Sequence, residues 1–420
     1  MSKRAITVLA VIWLLIFVTF STVAITLSLA GLSFESFSVV ASADDSVTMS
    51  AEAYDTIKRY ERTQEVLDII KNDYYIDVDE NALLTGSIRG LLGALGDPYT
   101  FYYTPDEMSQ HNEHNNGLYE GIGIQLIAGK DGSLLITRTF KNGSAQNAGI
   151  RAGDKIVAVE GESVNALTTQ NMNDAINKIK GLIDTAVSIA VDRDGELMTF
   201  SMMRSKIVMN RVEYQMLEGD IGYIMIYEFM GDAVLGFKDA VAALSNAKAF
   251  IIDVRSNPGG LLTDVVSIAD IVLPEGLIVY IEDRAGKRET YYSDSTAFSV
   301  PLAVLTNNMS ASASEILAGS VQDYGIGIIV GENTFGKGLV QSMIPFRSDG
   351  AGVQLTTARY FTPNGRMIHD VGIKPDFEVT LGEEYDATVI GPDPSNDAQL
   401  RTAVSELEKM IAGADMVPVP

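Results

Sequence analysis

Between about residues 210 and 380 short apolar runs alternate with runs of helix length, and this alternation limits the fold more than any other feature of the chain. Ile221–Ile226, Phe250–Val254, Leu302–Leu305 and Ile326–Val330 have the length and β-branched content of buried strands. Ala233–Leu244, Leu262–Val272 and Ala313–Tyr324 fit the helices between them. Such an order predicts an α/β core over residues 206–380.

The rest of the chain has other textures. With 420 residues there is room for two or three domains. Apolar residues recur at helical intervals from Tyr54 to Tyr74, and a second helix is predicted over Glu80–Leu95, ended by Gly96 and the extended turn Asp97-Pro98. Residues 54–115 therefore read as a helical segment. From 116 to 205 short strands are expected at Gly121–Ile127, Leu134–Thr137, Lys155–Val159 and Ala186–Val191, with one helix at Thr169–Lys180. A last amphipathic helix is predicted over Asp397–Ile411, within a C-terminal extension of residues 381–420. At the other end Lys3 and Arg4 precede an uncharged run from Ala5 to Phe34, long enough to span a bilayer core and longer than the apolar part of a usual cleaved signal. Residues 1–34 are expected to be a single-pass signal anchor followed by a tether over 35–53, with the positive flank in the cytoplasm and the body on the extracytoplasmic side of the cell membrane. Cleavage at Ala41-Ser42-Ala43 would instead release a secreted protein.

Composition removes several classes of function. Net charge is −24, which repels phosphate backbones and argues against a nucleic-acid partner. The absence of cysteine excludes a thiol nucleophile, a zinc ribbon and a disulfide framework. Of the three histidines, His111 and His114 lie in a polar stretch that reads as a solvated loop; with no third histidine nearby no metal site is expected, and no cofactor. His369 precedes Gly372 in a turn-rich segment.

The segment Asn308-Met-Ser-Ala-Ser312-Ala-Ser-Glu315-Ile lies between a predicted strand and a predicted helix. Taken alone, Ser312 and Glu315 form a capping box. A serine at that point also faces the free N–H groups and positive dipole end of the helix, which favour an oxyanion. A nucleophilic serine needs a base, and lysine is an alternative to the scarce histidines if burial keeps its amine neutral. Lys337 lies between Gly336 and Gly338, which allow close backbone approach, and Phe335, Leu339 and Val340 could keep it dry. Gln341, four residues on, is placed to orient the amine. A phosphate-binding loop is ruled out, because no Ser or Thr follows the lysine.

Together the motifs are specific. Ser310-Ala-Ser-Ala-Ser-Glu-Ile, Gln322-Asp-Tyr-Gly325 and Val330-Gly-Glu-x-Thr-Phe-Gly-Lys337-Gly-x-Val-Gln341 resemble the C-terminal processing, or tail-specific, serine peptidases. The likeness extends over about 54–380 and includes Leu92-Gly-Ala-Leu-Gly-Asp97-Pro-Tyr-Thr100, where Thr100 replaces the usual serine. It implies a crotonase/ClpP-like α/β peptidase core, Ser312 as nucleophile, Lys337 as base and Gln341 as its partner. The oxyanion hole would use the N–H of Ala313 and one from the turn Asn257-Pro-Gly259-Gly260, with Gly259 and Gly260 undistinguished. Tyr119-Glu-Gly121-Ile122-Gly123-Ile124, Ala148-Gly-Ile and Gly153-Asp-x-Ile-Val resemble an inserted PDZ domain over 116–205, whose loop and strand at Gly121, Ile122, Gly123 and Ile124 would bind peptide C-termini. The implied function is a multidomain endopeptidase acting on exported proteins with exposed C-termini, gated by the PDZ domain; a homodimer is compatible with it. The alternatives are an idle PDZ adaptor or chaperone, and an acyl-CoA enzyme, for which no CoA-binding signature is visible.

Overall fold

A computed structural model describes residues 40–41, 47–48, 50–115, 118–128, 133–140, 143–164, 169–294, 298–381 and 395–414. The chain divides into two compact units, residues 1–90 and 91–420. In the first, β1 (Val40–Ala41) pairs antiparallel with β2 (Val47–Thr48), and helices α1 (Ala51–Asp73) and α2 (Glu80–Gly93) follow. The helical period predicted for α1 is present, but Ile57, Tyr60 and Ile69 are each more than half exposed, and among its described side chains only Leu67 is buried. The expected anchor at residues 1–34 lies outside the described residues. Among those described, no helix is long and apolar enough to cross a membrane.

The second unit begins with β3 (Phe101–Tyr103) and helix α3 (Pro105–Asn115). The stretch expected to be a solvated loop around His111 and His114 is thus helical. Pro105 opens the helix, and Thr104 and Glu107 exchange N–H bonds across its first turn, which gives the polar run a firm start.

A β-rich body follows: β4 (Leu118–Gly121), β5 (Ile124–Ala128), β6 (Leu134–Thr139), α4 (Ser144–Ala148), β7 (Lys155–Val159), β8 (Glu162–Ser163), α5 (Thr169–Ile179), β9 (Ala186–Arg193), β10 (Glu196–Met203) and β11 (Ser205–Val208). Its main sheet runs β10-β9-β7-β6-β5, which leaves β5 at an edge. The inward residues of alternating strands, Leu134, Ile136, Ile156, Ile189 and Val191, form a separate core with Ile122 and Ile150. The strand predicted over Gly121–Ile127 is broken at Ile122-Gly123, where Gly123 adopts φ +82° and a side chain would meet Gly143 at 3.0 Å. Entry strand β4 pairs with exit strand β11, Leu118 opposite Val208, so the chain enters and leaves this body side by side, as an insertion must.

The α/β core contains β12 (Val212–Leu217), β13 (Ile221–Ile226), α6 (Ala233–Ala243), β14 (Ala249–Asp253), α7 (Leu262–Val272), β15 (Gly276–Asp283), β16 (Arg288–Ser293), β17 (Leu302–Thr306), α8 (Ala313–Tyr324), β18 (Gly327–Gly331), β19 (Leu339–Pro345), β20 (Gly352–Phe361), β21 (Phe377–Glu378) and α9 (Ala398–Ala414), of which β13, α6, β14, α7, β17, α8, β18 and α9 are the predicted ones. One sheet is ordered β12-β13-β14-β17-β18-β21 and is parallel except at β12. Strand β14 shows why its sequence is apolar throughout. Phe250 and Ile252 join the core under α6, α7 and α8, while Ala249 and Ile251 join Leu400, Ala403 and Leu407 of α9 on the other face. A second, antiparallel sheet, β16-β15-β20-β19 with β3 added to β20, was not anticipated. It carries the segment after Lys337 back across the core.

Candidate active site

Strand β14 ends in the turn Arg255-Ser-Asn-Pro-Gly-Gly260, and this turn is held firmly. The Arg255 guanidinium is buried against Asp253 at 2.6 Å and Asp397 at 2.7 Å. Asn257, fully buried, donates from Nδ2 to the Ile226 carbonyl and accepts the Gly259 N–H at 2.9 Å. Its own carbonyl accepts from the Ala311 N–H and the Ser314 hydroxyl, which ties the turn to the serine segment. A side chain at Gly259 would stand 2.8 Å from the Ser312 Cβ, so only glycine lets the two segments meet. The Gly259 N–H is spent inside the turn. The Gly260 N–H has no hydrogen bond among the described residues, and Gly260 is exposed.

Ser312 lies where β17 gives way to α8. Its φ of +56° and ψ of −111° are unfavourable for an L-residue, a strain of about 1–3 kcal/mol that persists only where the surroundings impose it. Ser312 and Glu315 stand in a capping-box arrangement, but the serine hydroxyl makes no side-chain cap hydrogen bond. The glutamate does more than cap. Its fully buried carboxylate accepts the N–H of Ser312 and of Lys337, each at 2.8 Å, the N–H of Gly336 at 2.7 Å and the Thr334 hydroxyl at 2.6 Å. One carboxylate thereby joins the backbones of both candidate catalytic residues. The Tyr360 hydroxyl donates to the Ser312 carbonyl at 3.1 Å and holds the strained residue from the other side.

Lys337 is half-buried between its two glycines. A side chain at Gly336 would meet Val371 and Gly372 at 3.1 Å, and one at Gly338 would meet His369 at 2.6 Å, so both glycines serve close backbone approach, as expected. Burial pushes the Lys337 amine below the usual lysine range, against the opposing pull of Asp97 and Glu315. Its Nζ lies 4.7 Å from the centre of the Tyr99 ring. Of the residues expected to keep it dry, Leu339 and Val340 line the same cleft, but Phe335 points outward, 54% exposed. The dry wall comes instead from Tyr99, which sequence distance hides.

Ser312, Ala313, Gly260, Lys337 and Gln341 all line one cleft of about 410 Å³. The Ala313 N–H, first of α8, is like that of Gly260 without a partner among the described residues. Gln341 donates from Nε2 to the Thr356 hydroxyl at 3.2 Å. No hydrogen bond joins the Ser312 hydroxyl, the Lys337 amine and Gln341. The walls are apolar at Met230, Leu261, Leu262, Ile316 and Met343, and polar at His111, Asn112, Asn115 and Gln354. His111 thus faces the cleft and accepts or donates at Asn115, 3.0 Å away. His369, the third histidine, lies outside this cleft in a neighbouring pocket with Asp97 and Tyr99. Gly121, Ile122, Gly123 and Ile124 are elsewhere: Gly121 pairs with Ser205 in β4, Ile122 and Gly123 form the buried bend, and Ile124 opens the edge strand β5. Among the described residues no cluster of side chains is arranged to hold a metal ion.

A serine at a strained strand-to-helix turn, a half-buried lysine and two free N–H groups thus share one cleft. Residues 220–379 match Peptidase family S41, residues 113–190 match the PDZ domain, and residues 23–107 match the N-terminal domain of the activating protease CtpB. The chain is 33% identical over 339 residues to the carboxy-terminal processing protease CtpB of Bacillus subtilis, covering 79% of this chain and 70% of that one. It is also 33% identical to CtpA of the same organism, over 77% of this chain and 69% of the relative. Among solved structures, the photosystem II D1 C-terminal processing protease aligns with a TM-score of 0.51 and 28% identity, over 85% of this chain and 96% of that one. The chain belongs to the carboxy-terminal processing protease family of S41 serine peptidases.

Sequence reasoning missed three parts of the site. Glu315 was visible only as half of a capping box, because its bonds to Gly336 and Lys337 span more than 20 residues. Tyr99 and Asp97 were visible as a motif but not as neighbours of the lysine. His111 was discounted with its polar run, although the run of Asp, Glu and Gln after Pro105 was a usable helix signal.

Proposed function

We propose that Ser312 is the nucleophile and Lys337 the general base of this peptidase. The reading is carried by one observation: the serine, the lysine, Gln341 and two unpartnered N–H groups line a single cleft. A neutral Lys337 amine takes the Ser312 proton as Oγ adds to the scissile carbonyl. The oxyanion is received by the N–H groups of Ala313 and Gly260; Gly260 is preferred to Gly259, whose N–H already serves Asn257. The ammonium then returns its proton to the leaving amine, and water hydrolyses the acyl-enzyme by the same route. Gln341 orients the amine through its side-chain oxygen, its nitrogen being committed to Thr356. Ser312→Ala should abolish casein cleavage and acylation by a fluorophosphonate probe with the fold intact; cleavage at an unchanged rate would refute the assignment.

The PDZ domain, in this reading, binds substrate C-termini and gates the site. Strand β5 offers an open edge to which an extended peptide can add, next to the bend at Ile122-Gly123. Gating is supported by Arg138 of β6. It donates to the Asn210 carbonyl at 2.9 Å and the Glu213 carboxylate at 2.6 Å, and its guanidinium stacks 3.5 Å from the Tyr227 ring centre. Two residues on, Phe229 bonds through its backbone to Gly259 and Leu261, so the contact reaches the candidate oxyanion turn. The uncharged run from Ala5 to Phe34 supports a single-pass membrane anchor with the catalytic body outside the cytoplasm. The exposed apolar residues of α1 support a homodimer through that helix. An idle peptide-binding adaptor is the second reading; proteolysis by the purified extracytoplasmic body separates the two.

A further inference from the structure

The segment Asp97-Pro-Tyr-Thr100 has no part in the chemistry just described, yet it is wired to both the candidate base and its partner. The Lys337 Nζ lies over the Tyr99 ring, 4.7 Å from its centre, and makes no hydrogen bond to Ser312 or Gln341. Asp97 acts on the same amine through its charge, without forming an ion pair, and is itself fixed: it accepts the Tyr99 N–H at 2.9 Å and the Thr100 hydroxyl at 2.6 Å. The Thr100 hydroxyl in turn accepts the Thr356 N–H at 3.2 Å, and the Thr356 hydroxyl accepts from Gln341. Thr100, which departs from the usual serine, supplies the same hydroxyl. Burial opposes the Asp97 charge, but bonds from Thr100, Thr356 and the Tyr99 N–H, with the Lys337 ammonium, hold its carboxyl below the usual carboxylate range. A fixed carboxylate and an aromatic face are the two groups that stabilise an ammonium.

We infer that Asp97 and Tyr99 are positioning residues that hold Lys337 as a stored ammonium over the phenol ring, away from Ser312, and that productive substrate binding releases the amine to the serine. The inference rests on Lys337 being the base. Other charged or titratable groups lie around the cleft of the amine and the adjoining pocket. Glu315 of α8 has its oxygens taken by four donors. His369 and Asp370, after β20, line the pocket that also holds Asp97 and Tyr99. His111 of α3 and the Tyr360 phenol border the cleft. All of these are unchanged in the variants below, so a shift between variants reports on the segment itself.

The test compares the pH dependence of kcat/KM, and of Ser312 labelling by a fluorophosphonate, in the unaltered chain and in Asp97→Asn, Tyr99→Phe and Tyr99→Leu. Losing the Asp97 charge lowers the cost of deprotonating Lys337. The acidic limb of Asp97→Asn should therefore move to lower pH by half a unit or more, which is roughly a threefold relative gain on that limb. Tyr99→Phe keeps the ring and should keep the limb and kcat unchanged within about twofold, whereas Tyr99→Leu loses the aromatic face that stabilises the ammonium and should move the acidic limb in the same direction as Asp97→Asn. A purely structural role would lower activity without moving the limb, and would make Tyr99→Phe as poor as Tyr99→Leu when its phenol lacks a substitute; either result overturns the inference. Should Asp97→Asn misfold, Asp97→Glu, which keeps the charge and the unshifted limb, and the Tyr99 pair still decide it. Lys337→Ala separates the two readings: if it still labels at Ser312 the base assignment fails, whereas an unlabelled Lys337→Ala with an unmoved Asp97→Asn limb rejects the positioning role alone.

Discussion

At the scale of residues the site is a set of constraints on two side chains. Ser312 is held at positive φ by its Glu315 and Tyr360 contacts and by Gly259 pressed against its Cβ. Glu315 is the clearest test of this arrangement. A glutamine there must turn its amino group toward one of the two pairs of donors, leaving at least one buried N–H without an acceptor. Glu315→Gln should lose about 2 kcal/mol or more of stability, read by denaturant unfolding, and its kcat should fall more than its KM rises. The Lys337 amine adds a pH dependence whose sign is fixed. Burial lowers its proton affinity, so kcat/KM should rise with pH as the ammonium gives way to the neutral base, with its limb below the range of a free lysine.

At the scale of elements the buried ion network behind the turn at residues 257–260 connects it to the C-terminal helix. Asp397 accepts the Leu400 N–H at the start of α9 with one oxygen and holds Arg255 with the other. Asp253, which also accepts the Tyr223 hydroxyl at 2.7 Å, completes the pair. Asp397→Ala removes a cap and leaves a buried guanidinium short of a partner. It should cost about 3 kcal/mol or more in unfolding measurements and reduce kcat, because the strand-to-turn junction before Gly260 loosens. These elements also show how far the sequence could be read. Parallel strands such as β14 and β17 are buried on both faces, so their continuous apolar runs were legible, and the bounds of β13, α7 and α8 were foreseen to the residue. Strands β19 and β20 are mostly half-buried and mix Gln, Ser, Thr and Arg with apolar residues, and this gives no clean period. Ser312, Lys337 and Gln341, which line one cleft, stand in local motifs. The contacts that make a site of them, Tyr99 on Lys337 and Glu315 on Gly336, join distant segments and have no local signature.

At the scale of the molecule an inserted PDZ domain is joined to the peptidase core through paired strands and through Arg138. The guanidinium is buried, so its loss removes an ion pair, a backbone bond and the Tyr227 stacking at once. Arg138→Ala should alter the rate on protein substrates at least fivefold while leaving peptide binding by the PDZ domain within about twofold, measured by fluorescence anisotropy with a peptide of free C-terminus. An equal loss of both would mean that Arg138 serves only the stability of the domain. All of this presumes the serine–lysine chemistry, and one measurement addresses that directly. The purified protein is treated with a fluorophosphonate and the adduct is located by peptide mass spectrometry, in parallel with Ser312→Ala and Lys337→Ala. A single adduct on Ser312, absent from both folded variants, is the predicted result; an adduct on another residue, or undiminished labelling of Ser312 in Lys337→Ala, would contradict the account.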